Sequence, residues 1–187
     1  IDRGVGLVPY NDPNIGRGTS PDYNDEDLIS NLEKFIAEMG KRYDKNPRVA
    51  YIEVGFLGHF GEWVTTDPNL MANDSTKDRV LNAVQKAFPN KKLLGPAGTT
   101  MPREPWMGYR DGQFPDSFGR TKEFLGAPDF WKKQPLGAQM ISEAAGRLLS
   151  TEWEKTKTAF EELHPTYIGP YNPSMDDITD QDGYKAR

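Results

Sequence analysis

The sequence predicts an α/β protein whose strands form a parallel sheet linked by helical crossovers. Two observations carry that prediction. Short apolar runs alternate along the chain with longer segments of helical spacing, and the best run, residues 49–56, is apolar almost throughout rather than at every second position. Continuous apolarity is what a parallel strand covered on both faces requires, and the alternation requires crossovers. Two arrangements follow, a doubly wound open sheet and a closed (β/α)8 barrel. No Gly-x-Gly-x-x-Gly follows the first run and no Gly-Lys-Ser/Thr occurs anywhere, so nucleotide binding has no support. About six strands are legible in 187 residues, whereas a closed barrel needs eight and typically about 250 residues. A barrel would therefore be present as about six βα units.

Residues 5–10, bounded by glycine and Asn11-Asp12-Pro13, read as a buried strand followed by a polar loop through Ser20-Pro21. Leu28, Ile29, Leu32, Phe35, Ile36, Met39 and Tyr43 recur at helical spacing behind the candidate caps Asn24 and Asp25. Pro47 ends that segment and residues 49–56 give a strand interrupted only by Glu53. Glu53 should then be paired, with Arg110 or Arg3, because a lone buried carboxylate is costly. From Ser75 a second helix carries Val80, Leu81, Val84, Ala87 and Phe88, and residues 92–97 form the next strand. The irregular stretch 98–119 holds one strand at 106–109, and a short helix is expected around 121–125. Residues 136–142 read as a strand. Ser150 caps a helix with Trp153, Thr156, Phe160 and Leu163 on one side, and residues 166–169 are the last strand before a polar tail from Asn172. Trp131 and Trp153 are expected in the core.

The formal charge is −5 and no Lys/Arg cluster exceeds a pair, which argues against a nucleic-acid partner. No apolar run approaches the roughly 20 residues of a membrane span. Cysteine is absent, so disulfides, thiol catalysis and zinc-thiolate sites are excluded. The chain begins at Ile1, and is expected to be processed or part of a longer protein that completes the barrel as one domain over residues 1–187.

Two features bear chemistry. The strand at 49–56 runs into Leu57-Gly58-His59-Phe60-Gly61-Glu62-Trp63, presenting Glu62 at the carboxyl end, where parallel α/β sheets place their active sites. Gln139-Met140-Ile141-Ser142-Glu143 repeats the arrangement with Glu143. Two glutamates at the carboxyl ends of strands in one sheet are what glycoside hydrolysis needs: one to protonate the leaving oxygen, the other to attack or to activate water. Asn11, His59, Tyr109, Arg110 and Asp111 also follow strands and are candidate sugar contacts, with Arg110 suited to an anionic sugar. Trp63 and Trp106 are the candidate stacking rings. No metal or organic cofactor is required. A carbohydrate-binding barrel without turnover is the second reading. A metal-dependent hydrolase using His59, Asp111, Glu62 and Glu143 is the third, weakened by having only two histidines and no His-x-His or His-Glu-x-x-His.

Gly58-His59-Phe60-Gly61-Glu62-Trp63 resembles the Gly-x-x-Gly-Glu-Trp signature of a bacterial barrel family related to the clan A glycoside hydrolases, which include β-galactosidase-like enzymes. Arg42-Tyr43-Asp44, Gly108-Tyr109-Arg110-Asp111 and His164-Pro165-Thr166-Tyr167-Ile168-Gly169 are similar to segments of that family. The resemblance is sharp only at 51–63. It implies a (β/α)8 TIM barrel represented by its third to eighth strands, with residues 5–10 as the third. It also implies a retaining glycosidase in which Glu62 is the general acid/base and Glu143 the nucleophile, acting on a polysaccharide or oligosaccharide. A secreted or periplasmic location is expected with it. Gly61 departs from the family pattern, since clan A enzymes often carry Asn immediately before the acid/base Glu.

Overall fold

A computed structural model describes residues 6–13, 16–140 and 142–169. In chain order the elements are β1 (Leu7–Asp12), β2 (Gly16–Pro21), α1 (Glu26–Tyr43), β3 (Tyr51–Glu53), α2 (Asp74–Ala87), β4 (Lys92–Pro96) and β5 (Gly108–Asp111). Then follow α3 (Phe118–Leu125), β6 (Leu136–Ala138), α4 (Ser142–Leu148), α5 (Trp153–Leu163) and β7 (Tyr167–Ile168). The protein is mixed α/β with a five-stranded parallel sheet in the order β3-β4-β5-β6-β7. That order is sequential, as βα repetition demands. Among the described residues the eight strands of a complete barrel are not present. The chain divides into two compact units, residues 1–93 with 99–104, and residues 94–98 with 105–187.

In the first unit the opening run is not a parallel strand. β1 pairs antiparallel with β2 in a separate two-stranded sheet, Leu7 opposite Pro21 and Asp12 opposite Gly16. The reading of residues 5–10 as the third barrel strand is thereby corrected, and so is the polar loop that contains β2. The physical reason is exposure: Leu7 and Val8 lie in solvent, so their apolarity does not mark a strand covered on two faces. Helix α1 starts where Asp25 accepts the Leu28 N–H at 2.8 Å. Glu26 and Asp27 suit its positive N-terminal end, and Lys41 and Arg42 its C-terminal end. It buries Ile29 and Ile36, each stabilising by about 1.5–3 kcal/mol relative to exposure. Helix α2 is capped by Asn73, which accepts from Thr76 N–H at 2.9 Å, and buries Val80, Leu81 and Val84. The two helices pack together, with Arg79 of α2 reaching Glu26 at 2.7 Å and Glu33 at 2.9 Å on α1. Beyond α1, Asp44 accepts from the Asn90 backbone N–H at 2.9 Å and from its side chain at 2.6 Å.

In the second unit β5 pairs in parallel with β4 and β6, and β6 with β7. Arg110 stands opposite Gly137, and Gly137 opposite Tyr167. The apolar signal at 106–109 marks the right strand but begins it two residues early. Tyr109 packs edge-on against Phe124 of α3 at 4.9 Å and against Phe130 at 5.9 Å. β6, expected to run through residue 142, ends at Ala138, and α4 begins at Ser142. This helix contributes Ala144, Ala145 and Leu148 to a buried cluster with Met140. Helix α5 buries Thr156, Ala159 and Leu163, and the Thr156 hydroxyl donates to Leu148 O at 2.7 Å. Trp131 and Trp153, expected in the core, are both exposed. The tail from Asn172 and the Glu53 partner candidate Arg3 lie outside the described residues.

Candidate functional site

The segment that leaves β3 is the most constrained loop of the first unit. Four of the six residues from 58 to 63 have left-handed backbone: Gly58 at φ 77°, Phe60 at 58°, Gly61 at 70° and Trp63 at 53°. Two of these positions admit only glycine for steric reasons as well. A Cβ on Gly58 would lie 2.7 Å from both N and O of Val64, and one on Gly61 would lie 2.4 Å from the Gly55 carbonyl oxygen. Backbone cannot yield as a flexible side chain would, so the Gly-x-x-Gly spacing is a packing requirement of the loop itself.

Hydrogen bonds close the loop at both ends. His59 N–H donates to Val64 O at 2.7 Å, and Trp63 N–H to Leu57 O at 3.0 Å. Inside it, Gly61 N–H donates to Gly58 O at 3.3 Å and Glu62 N–H to His59 O at 3.0 Å. Side chains fasten it from outside. The Tyr23 hydroxyl donates to Gly58 O at 3.0 Å, Trp63 Nε1 donates to Val54 O at 2.8 Å, and the Thr100 hydroxyl donates to Trp63 O. Burial pushes the Tyr23 phenol up from its ordinary value, against the opposing hydrogen bonds with Ser20 and Gly58.

Glu62 sits half-buried at the end of this turn. The His59 ring lies 4.7 Å from that of Tyr10 on β1, and its Nε2 is buried without a hydrogen-bond partner in the protein. Phe60, between them, is 84% exposed. Trp63 is fully buried, so its role as a sugar-stacking ring is corrected: the indole is held inside the unit by its Nε1 bond to Val54 O, where it serves as an anchor. Asn11 is exposed on β1, opposite Arg17 in the antiparallel hairpin and not at the carboxyl end of a parallel strand. Glu53 is exposed rather than buried.

In the second unit the carboxyl end of β5 is taken up by structure. Tyr109 is buried among Phe124 and Phe130, which removes it as a sugar contact. Asp111, 2% exposed, accepts from the Ser117 hydroxyl, from Gln113 N–H at 3.0 Å and from the Thr121 hydroxyl at 2.8 Å. Its carboxylate ties β5 to α3 and is corrected from substrate contact to scaffold. Arg110, 8% exposed, donates to Gln139 Oε1 at 2.6 Å. Alternation along the strand turns it away from the face that Tyr109 and Asp111 share. Trp106 precedes β5 and is half-buried. Glu143 belongs to the first turn of α4, just after β6, and its side chain lies outside the described residues.

A cavity of about 860 Å³ runs along α1 and α2, lined by Ala37, Gly40, Ala83 and Ala87 among others, and none of the predicted site residues lines it. Among the described residues no three His, Asp or Glu side chains converge as a potential metal-ligand group. Sequence reasoning passed over Tyr10, Tyr23 and Phe60. The paired glycines signal a tight turn, but nothing in the sequence marks which aromatic beside them is turned outward. No protein-family model matches the chain, and no curated protein matches it.

Proposed function

We propose that the chain is a glycoside hydrolase acting on a polysaccharide or oligosaccharide by a two-carboxylate retaining mechanism, with Glu62 as general acid/base and Glu143 as nucleophile. The observation that carries this reading is the loop after β3. It fixes a half-buried glutamate beyond the carboxyl end of a parallel strand by left-handed backbone, close-packed glycines and hydrogen bonds at both ends. Such advance fixing is what a proton-transferring carboxyl group needs, because its geometry must be set before the transition state forms. A second glutamate follows β6 in the same parallel sheet.

In the proposed cycle Glu143 attacks the anomeric carbon as Glu62 gives its proton to the leaving oxygen. Glu62 then takes a proton from the water that releases the sugar from the glycosyl-enzyme ester. The test uses Glu62→Ala and Glu143→Ala on an aryl glycoside with a good leaving group. Azide should rescue the first with a glycosyl azide of the substrate's anomeric configuration, and the second with the opposite configuration. Full activity in either variant without azide would overturn the assignment. Binding of oligosaccharide with no turnover by the unmodified protein would favour the carbohydrate-binding reading.

A further inference from the structure

We infer that Phe60 is the sugar platform of the Glu62 loop, a flat ring held in solvent to stack on the apolar C–H face of a saccharide unit. The inference rests on the glycosidase reading and extends it to a substrate-holding residue. One exposed phenylalanine is ordinary on a protein surface. Phe60 is not ordinary, because two separate costs meet there. Its side chain is 84% exposed, so it gains little from burial, and its backbone sits at φ 58°, ψ 13°, a conformation that a bulky residue adopts at a penalty. Glycine at position 60 would remove both.

The surrounding contacts show why the backbone stays there. The residues on either side are held by His59 N–H to Val64 O, Gly61 N–H to Gly58 O and Glu62 N–H to His59 O. Tyr23 and Trp63 fasten the loop to the rest of its unit. The ring is therefore displayed by a fixed frame, and ring and glutamate belong to one turn. A rigid aromatic contributes contact area at small conformational cost, which is how anchors in binding sites gain affinity. On one side the neighbouring His59 ring lies against Tyr10, so the base of the platform is itself braced.

The experiment is calorimetric titration of Glu62→Gln protein, which should bind without turnover, with hexaoses of β-linked glucose, mannose, xylose and galactose. Phe60→Ala and Phe60→Leu in that background should weaken binding of the accepted hexaose by about 10- to 30-fold, as truncation of an aromatic anchor does. Phe60→Trp should keep affinity close to the parent. Leucine separates ring stacking from simple apolar contact. Phe60→Gly should bind as weakly as Phe60→Ala yet unfold at a higher temperature than the parent, since it relieves the backbone. Undiminished binding by Phe60→Ala, with Glu62→Gln still inactive, would overturn the platform and leave the glycosidase reading standing. A lower unfolding temperature for Phe60→Gly would make Phe60 a structural residue and overturn the platform as well. No binding and no hydrolysis of any hexaose by the unmodified protein would overturn both together.

Discussion

Beyond β3 the chain leaves Phe60 in solvent and Glu62 half-buried, whereas within β5 it buries Tyr109, Arg110 and Asp111 almost completely. Both places carry an aromatic and a carboxylate at the carboxyl end of an apolar run in the sequence, and on paper they are equivalent candidates. They differ in how the chain that carries the carboxylate is held. Asp111 meets two hydroxyls and a backbone N–H supplied by the turn and helix that follow it. The β3 loop instead meets its hydrogen-bonding needs within its own backbone, using Tyr23, Trp63 and Thr100 as outside fasteners. The Asp111 carboxylate is bound by donors from the turn and helix that follow it, whereas the turn that carries Glu62 is closed by its own backbone.

Gly61→Ala is the harshest way to break that contrast. The added methyl meets the Gly55 carbonyl oxygen at 2.4 Å and must also adopt φ 70°. The expected cost is about 3 kcal/mol or more, from backbone strain plus overpacking, read as a fall in the denaturant midpoint. A loss below about 1 kcal/mol would mean that the loop relaxes easily and does not fix Glu62 in advance.

Asp111→Ala sharpens the other side. It strands the Ser117 and Thr121 hydroxyls and the Gln113 N–H, for an expected loss of about 2–3 kcal/mol. Any activity per folded molecule should be preserved. A collapse of turnover in protein that remains folded would return Asp111 to the site.

The smallest effect lies among surface charges. Asp116 accepts from Lys155 and, at 2.8 Å, from Arg147. These partners, Lys155 foremost, hold its carboxyl below the usual carboxylate range. A depressed folded value contributes stability that is present above the ordinary value of about 3.9 and is lost as pH falls through the folded one. Lys155→Met should therefore cost about half a kcal/mol at pH 7, and that difference from the parent should shrink below about pH 4. An equal difference at pH 7 and pH 2.5 would show that Lys155 stabilises through its aliphatic stem.

Much of this fold is legible in the sequence where local signals agree. Helix α1 forms behind the Asp25 cap that the sequence offers, and α2 forms where its apolar periodicity places it, one residue ahead of the expected start at Ser75. Strand β4 lies within residues 92–97 as read, since a short apolar run between Pro89-Asn90 and Gly98 leaves little freedom of register. The hairpin β1–β2 was not legible because Val5–Tyr10 shows apolarity without showing which face meets what. The start of α4 at Ser142 was hidden for a related reason: the apolar run in the sequence continues through Met140 and Ile141, past the end of β6 at Ala138. At the site, the glycines of the Glu62 loop announced the turn, while the opposite fates of Phe60 and Trp63, which share a left-handed backbone, are not written in their side-chain chemistry.

The contact between Gly61 and Gly55 also limits how this protein can change. Asparagine at position 61 is not reachable by one substitution without displacing the Gly55 backbone against which the loop rests. Any variant that acquired it would first have to rebuild the 55–61 crossing, losing the folded loop on the way. Under the proposed glycosidase reading, a residue elsewhere must hold the sugar hydroxyl beside the scissile bond, and single changes would improve that residue before they altered position 61.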